Sequence, residues 1–148
     1  MSSDRKTVFE LTVPSRMEEL AAVQQLVERA TKAFALDEEI AYWIELSVSE
    51  STINAILHGN QEDPQKDVYL SIGLAGRTVE VVVEDQGSGF DLSDVPDPTD
   101  QSNLMKPGGR GILIIRSFMD KVELIRKEGG GSRLRMVKHL GEDPSDAI

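Results

Sequence analysis

Glu50-Ser51-Thr52-Ile53-Asn54-Ala55-Ile56-Leu57-His58-Gly59 decides how the rest of the chain is read. A carboxylate and a carboxamide stand four residues apart in an otherwise apolar, helix-patterned segment. Residues at that spacing share one helix face, so Glu50 and Asn54 point at the same spot. A half-buried pair of this kind needs a partner, because polar groups removed from water are costly unless bonded. Two glycine-rich loops further along, one led by Asp85, suggest a nucleotide and its metal ion.

Working outward, the helix holding this pair starts at Asp37 and carries Ile40, Trp43, Ile44, Val48, Ile53, Ala55 and Leu57. It should stop near His58-Gly59, where glycine favours termination. Upstream, Val8 to Val13 alternates as a first strand. Pro14-Ser15 then opens a helix with Leu20, Val23, Val27, Ala30 and Phe34 at helical spacing, and Ser15 with Glu18 has the form of a capping box. Downstream, Val68, Leu70, Ile72 and Leu74 alternate. They lead through Ala75-Gly76-Arg77 into Val79, Val81 and Val83, a predicted hairpin. From Phe90 to Pro107 periodicity disappears, and a loop of that length inside a compact domain is usually functional or mobile. A short helix through Ile112, Ile115 and Phe118 follows. Strands over about 121–127 and 132–139 then flank Gly129-Gly130-Gly131. The expected fold class is an α+β two-layer sandwich, with helices on one face of a mixed, mainly antiparallel sheet. One domain over residues 1–148 is expected, its core about 8–140 and its end, 141–148, a polar tail.

The 148 residues include no cysteine, which excludes disulfides, thiolate nucleophiles and zinc–thiolate sites. No apolar run reaches the length of a membrane span, and the first residues lack the apolar core of a signal peptide. A cytoplasmic protein without a membrane partner is therefore expected. The net charge of −10 argues against direct nucleic-acid binding, which normally leaves a basic footprint. Residues 105–140 nevertheless hold nine Lys and Arg against three acidic residues. That fits either solvated faces or a half that meets phosphate.

Three elements carry chemistry. Asp85, at the end of the second hairpin strand, can accept a hydrogen bond from an exocyclic amine, while Gly87 and Gly89 let backbone approach a flat ring. Taken alone, an Asp-Gly turn has the same pattern. Gly108-Gly109-Arg110-Gly111 precedes a helix, whose free N–H groups can cradle phosphate. It is neither a Walker A loop nor a dinucleotide fingerprint. Asn54 can offer its carbonyl oxygen to magnesium. Glu50 can act as general base on a hydroxyl attacking the terminal phosphate. Trp43 reads as core. His58 reads as a helix terminator or rim residue rather than a metal ligand, and His139 as surface. No Gly-x-Ser-x-Gly elbow exists for a serine hydrolase.

Together, Glu50-x-x-x-Asn54, Asp85-x-Gly87-x-Gly89 and Gly109-x-Gly111 resemble the boxes of the Bergerat-fold, histidine-kinase-like ATPases. Glu50 to Gly59, Phe118-Met119-Asp120-x-Val122 and Lys138-His139-Leu140 make the chain most similar to the RsbW-type anti-sigma factor serine kinases. The resemblance implies ATP and Mg²⁺ as cofactors, Asp85 on the adenine amine, and Ser132 supporting it through water. It implies Gly87 and Gly89 in the adenine pocket, Asn54 on the metal, and residues 90–107 as an ATP lid. Gly108, Gly109 and Gly111 would hold phosphates, helped by Lys106 and Arg110. Glu50 would activate a serine of an anti-anti-sigma (STAS-domain) protein, and a sigma factor would be the sequestered partner. A homodimer is a further expectation. Two other functions fit the same residues: a non-catalytic, nucleotide-binding partner switch, and a stand-alone histidine-kinase-like ATPase domain.

Overall fold

The computed structural model describes residues 6–87 and 111–141, side chains 111–114 excepted. The expected loop over 90–107, Gly89, Lys106, Gly108, Gly109, Arg110 and the tail beyond Gly141 lie outside the described residues. Strand β1 (Lys6–Pro14) leads through a 3₁₀ turn (Met17–Glu19) into α1 (Leu20–Ala33) and then α2 (Glu38–Asn54). A π turn (Ala55–Gly59) extends α2, and the hairpin β2 (Asp67–Ala75) and β3 (Thr78–Glu84) follows. Helix α3 (Gly111–Phe118) and the hairpin β4 (Lys121–Arg126) and β5 (Ser132–His139) complete the order. The sheet runs β1-β2-β3-β5-β4, and every described pairing is antiparallel.

Period-two alternation gives this sheet one apolar face. Val68, Leu70 and Ile72 of β2, Val79, Val81 and Val83 of β3, and Leu134 and Met136 of β5 are all buried. Against them lie Val23, Leu26, Val27 and Ala30 of α1, Ile44 and Val48 of α2, and Ile115 of α3. Each fully buried Leu or Ile in this layer contributes about 1.5–3 kcal/mol of transfer free energy. The helices occupy this face alone, as the sequence pattern requires.

The opposite sheet face carries charge in cross-strand pairs. Arg135 bridges Glu80 at 2.6 Å and Glu123 at 2.8 Å. Arg133 and Lys127 meet Glu84 at 3.0 and 3.2 Å. Part of the basic excess in residues 105–140 is thus taken up by acidic neighbours on adjacent strands. Lys138 points the other way, lying 4.6 Å over the Phe118 ring, which in turn stacks on Trp43 at 6.1 Å. Trp43 is therefore a packing residue between α2 and α3.

Helix α1 starts differently from the sequence expectation. The residue before the 3₁₀ turn is Arg16, with no side-chain cap, so Ser15 and Glu18 form no capping box. Ser15 is buried, and its hydroxyl donates to the Lys66 carbonyl at 2.7 Å while accepting from Asn60 Nδ2 at 2.8 Å. A buried hydroxyl takes the partners that tertiary structure supplies. Asp37 does cap α2, accepting from the Ile40 N–H at 2.9 Å, a contact type worth about 1 kcal/mol.

Candidate nucleotide site

Helix α2 carries two kinds of polar side chain. Ser51 and Thr52 are buried but return their hydroxyls to the helix itself, onto the carbonyls of Ser47 and Val48. That is the usual way such residues are tolerated in a helix interior. Glu50 Oε2, both amide atoms of Asn54, Ser47 Oγ and His58 Nε2 behave otherwise: they are buried and find no hydrogen-bond partner. Asn54 is only 1% exposed. An unmade bond at a buried donor or acceptor costs about 1–3 kcal/mol. A cluster of them on one helix face is the arrangement expected of a site that a polar ligand completes. Burial raises the Glu50 carboxyl above its ordinary value, because removal from water disfavours the charged form.

The π turn delivers the chain to the second half of the site. The Asn60 N–H reaches back to the Ala55 carbonyl at 2.8 Å, an i→i+5 bond, and such bulges are frequent at functional sites. Gly59 then lies directly against Asp85: a Cβ at Gly59 would run into the Asp85 Oδ2 atom. A Cβ at Gly87 would overlap the Gly59 carbonyl oxygen, and one at Gly131 (φ +93°) would overlap the Asp85 carbonyl oxygen. Three backbone segments converge on one aspartate, and only glycine lets them.

Asp85 itself is 2% exposed. Its Oδ1 accepts from the Gly87 N–H at 3.1 Å and from the Ser132 N–H at 3.2 Å. Its own N–H donates to the Ser132 carbonyl at 3.0 Å, and its carbonyl takes Lys127 Nζ at 3.1 Å. Burial pushes the carboxyl up. The two N–H groups, and the charges of Lys127 and Lys66, pull it part of the way back. Ser132, expected to act through water, touches Asp85 directly through its backbone.

Asn60, also buried, ties these pieces together. Its Nδ2 donates to Ser15 Oγ at 2.8 Å and to the Asp67 carbonyl at 2.9 Å, while its Oδ1 accepts from the Gln86 N–H at 2.8 Å. Gln86 Oε1 in turn accepts from the Asp67 N–H at 2.7 Å. The strand end bearing Asp85 is thereby fixed to the end of α2. Sequence reading assigned no role to Asn60, Gly131 or Lys127, whose importance arises only from contacts distant in the chain.

Of the sequence-predicted residues, Glu50 and Asn54 share the unpartnered helix face, and Asp85, Gly87 and Ser132 form the buried turn. Gly111 is the first residue of α3. Gly89, Lys106, Gly108, Gly109 and Arg110 are outside the described residues. The described residues fit a nucleotide with a divalent ion: the orphaned amide and carboxylate need polar partners of the kind phosphate and a metal ion supply. No group of three or more His, Asp or Glu gathers among the described residues. An ion at Asn54 would therefore draw its other ligands from phosphate and water, as magnesium commonly does.

A five-stranded antiparallel sheet with helices on one face and this pair of polar centres defines a histidine kinase-like ATPase domain. The chain belongs to that family, which matches residues 13–138. More particularly, it is 34% identical over 140 residues to the anti-sigma F factor of Heyndrickxia coagulans, covering 91% of this chain and 92% of that protein. It is 35% identical over 101 residues to the anti-sigma F factor of Anoxybacillus flavithermus, covering 66% and 68%. Among solved structures, the RsbU and RsbW domains of a Mycobacterium tuberculosis protein superpose with a TM-score of 0.67 at 16% identity, over 93% of this chain and 33% of that one. A blue-light activated histidine kinase of Erythrobacter litoralis gives 0.53 at 25% identity, over 72% and 32%. The chain thus spans about a third of each of these two longer proteins. Among the described residues, no helix is long and apolar enough to cross a membrane.

Proposed function

We propose that this chain is an ATP-binding anti-sigma factor with serine-protein kinase activity. It holds a sigma factor and phosphorylates a serine on an anti-anti-sigma (STAS-type) protein, and it does so in the cytoplasm. The observation that carries the reading is the unpartnered polar face of α2, with Asn54 buried and Glu50, one turn away, half-buried with its Oε2 shielded from solvent. A module that merely bound nucleotide would have no use for a second, desolvated carboxylate there.

In this reading Asp85 accepts from the adenine amine through Oδ2, while Oδ1 remains tied to the Gly87 and Ser132 N–H groups. Gly59 and Gly87 keep side chains out of the ring's path. Asn54 Oδ1 holds Mg²⁺, which when bound screens phosphate charge and orients the terminal phosphoryl group. Lys106, Gly108, Gly109, Arg110 and Gly111 contribute N–H groups and positive charge to the phosphates, and Gly89 belongs to the base pocket. Glu50 takes the proton from the partner's serine hydroxyl as its oxygen bonds to the terminal phosphorus and the bridging P–O bond breaks, leaving ADP. A carboxyl raised by burial is better matched to that proton than an exposed one.

The names of the relatives support the anti-sigma role, and the family supports ATP as ligand. The test uses purified chain, radiolabelled ATP and a candidate anti-anti-sigma protein. Label should appear on a partner serine, and Glu50→Gln should cut its rate by about 10²–10⁴ while leaving ADP affinity nearly unchanged. Tight ATP binding with no labelled partner would favour the nucleotide-dependent switch instead. Labelling undiminished in Glu50→Gln would remove Glu50 from the mechanism. A homodimer is part of the proposal, and sedimentation equilibrium decides it.

A further inference from the structure

Asp85 is held by a turn that has little stiffness of its own. The connection between β4 and β5 runs Lys127-Glu128-Gly129-Gly130-Gly131, and its three glycines have φ of +86°, +109° and +93°. Glycine leaves such a backbone many alternatives. Yet this turn must bring the Ser132 N–H to Asp85 Oδ1 at 3.2 Å, with Gly131 packed on the Asp85 backbone.

Lys127 supplies the missing constraint. Its backbone closes the turn, donating to the Gly131 carbonyl at 2.9 Å and accepting from the Gly130 N–H at 3.2 Å. Its side chain crosses to the end of β3, where Nζ donates to the Asp85 carbonyl at 3.1 Å and meets Glu84 Oε1 at 3.2 Å. That side chain is 25% exposed, against 50–75% for Lys6, Lys121 and Lys32 in their ion pairs, so it is drawn onto the protein. A bond from an ammonium is also the stronger, charge-assisted kind.

The same ammonium acts on the carboxyl. Charge near Asp85 comes from Lys127 on this turn, from Lys66 ahead of β2, and from Glu84 on its own strand, itself bonded to Arg133 of β5. The π turn presents Gly59 and β5 presents the Ser132 N–H, neither of them charged. Burial disfavours the ionised carboxyl, and the two lysines oppose it. Only the ionised form accepts at both oxygens, so that Oδ2 remains an acceptor while Oδ1 is occupied.

We propose that Lys127 is a positioning residue for the nucleotide base: its ammonium clamps the glycine turn onto Asp85 and keeps the carboxylate aimed and ready to accept. This rests on the reading of the site as one for ATP. Lys127 itself touches no ligand and acts through Asp85 and the Ser132 N–H.

The test is calorimetry on the full chain with ADP and with adenosine across pH, with thermal melts confirming that each variant folds. Lys127→Met should weaken both ligands about tenfold and to the same degree, because the clamp serves the base end. The pH below which binding falls away should also move up, since the carboxyl loses a cation that opposes burial. Titration of the ligand itself is common to all variants and cancels. Lys127→Arg keeps charge and donors, and should recover most of the affinity and return the acid limb to its place. Glu84→Gln removes the ion pair but leaves the bond to the Asp85 carbonyl. It should cost little affinity and should not move the acid limb upward. If Lys127→Met and Glu84→Gln behave alike, with the acid limb unmoved, Lys127 is only half of a structural ion pair and the proposal is overturned. Weakening of ADP without adenosine would overturn it as well, by placing the ammonium on phosphate. If wild-type chain binds neither ligand, it is the ATP reading that fails, and the positioning role falls with it.

Discussion

The two ends of the proposed site are built on opposite principles. At the Asp85 end the turn is held together from within the chain. Two N–H groups hold Oδ1, a lysine holds the carbonyl, and glycine backbones close around the side chain. At the Glu50–Asn54 end the polar atoms are buried and left without partners. The first end has its scaffold in place before any ligand arrives, and the second has polar atoms that only a ligand would complete. The contrast matches what each must do: a base pocket discriminates best when rigid, whereas groups that follow a reacting phosphate need bonds to spare.

The contrast breaks most severely if the base end is disturbed. In Gly87→Ala the new Cβ would meet the backbone of Gly59 and Asn60 rather than a side chain that could turn aside. A loss of about 3 kcal/mol in unfolding free energy is expected, read by urea denaturation, together with loss of measurable ATP binding. Full stability in that variant would mean the turn is looser than its contacts imply. Asp85→Asn is subtler. Oδ1 keeps its two N–H donors, but an amide replaces the oxygen meant for the adenine amine. ATP affinity should fall about tenfold to hundredfold by calorimetry with little change in melting temperature. Unchanged affinity would move adenine recognition elsewhere.

The other end should respond in the opposite sense. Asn54→Leu replaces an orphaned amide with an apolar group of the same shape, so the ligand-free protein should gain about 1 kcal/mol of stability. Magnesium-dependent stabilisation by ATP should vanish at the same time. A variant that is both destabilised and still shifted by Mg²⁺-ATP would show that the Asn54 amide has hidden partners. Greater stability bought at the expense of function is expected wherever a site stores unsatisfied polar groups.

The same division explains what was legible in the sequence. The strands and the α2 face could be read because they rest on local periodicity: alternation in 68–74 and 79–83, and the four-residue spacing of Glu50 and Asn54. Asp85 was legible from its glycines. Asn60 was not, because its three partners come from Ser15, Asp67 and Gln86, and no spacing rule links them. Ser15 was misread for the complementary reason. Its local pattern fits a cap, but a buried amide 45 residues away claims the hydroxyl. The π turn over Ala55–Gly59 was invisible because it leaves no mark on apolar periodicity.

The smallest effect tests the contrast through protons. Burial raises both the Glu50 and Asp85 carboxyls above their ordinary values of 4.5 and 3.8. A raised carboxyl binds its proton more tightly in the folded chain, so its contribution to stability is full below the ordinary value. That contribution is lost as pH rises through the folded one. These two groups should therefore contribute a small loss of stability on going from pH 4 toward neutrality. The contribution of Glu80 is opposite in sign, because there burial is outweighed by the partners Arg135 and Lys6, which hold the carboxyl below the ordinary value. Glu50→Gln should remove the Glu50 share in paired melts. The loss stays small because Glu50 is only partly buried and water screens it. At Glu50 burial acts alone among the described residues, whereas at Asp85 two N–H groups and two lysines oppose it. A ligand that completes the polar face should consequently alter the Glu50 slope more than the Asp85 slope. Equal changes on adding ADP would mean that the two ends are not built differently after all.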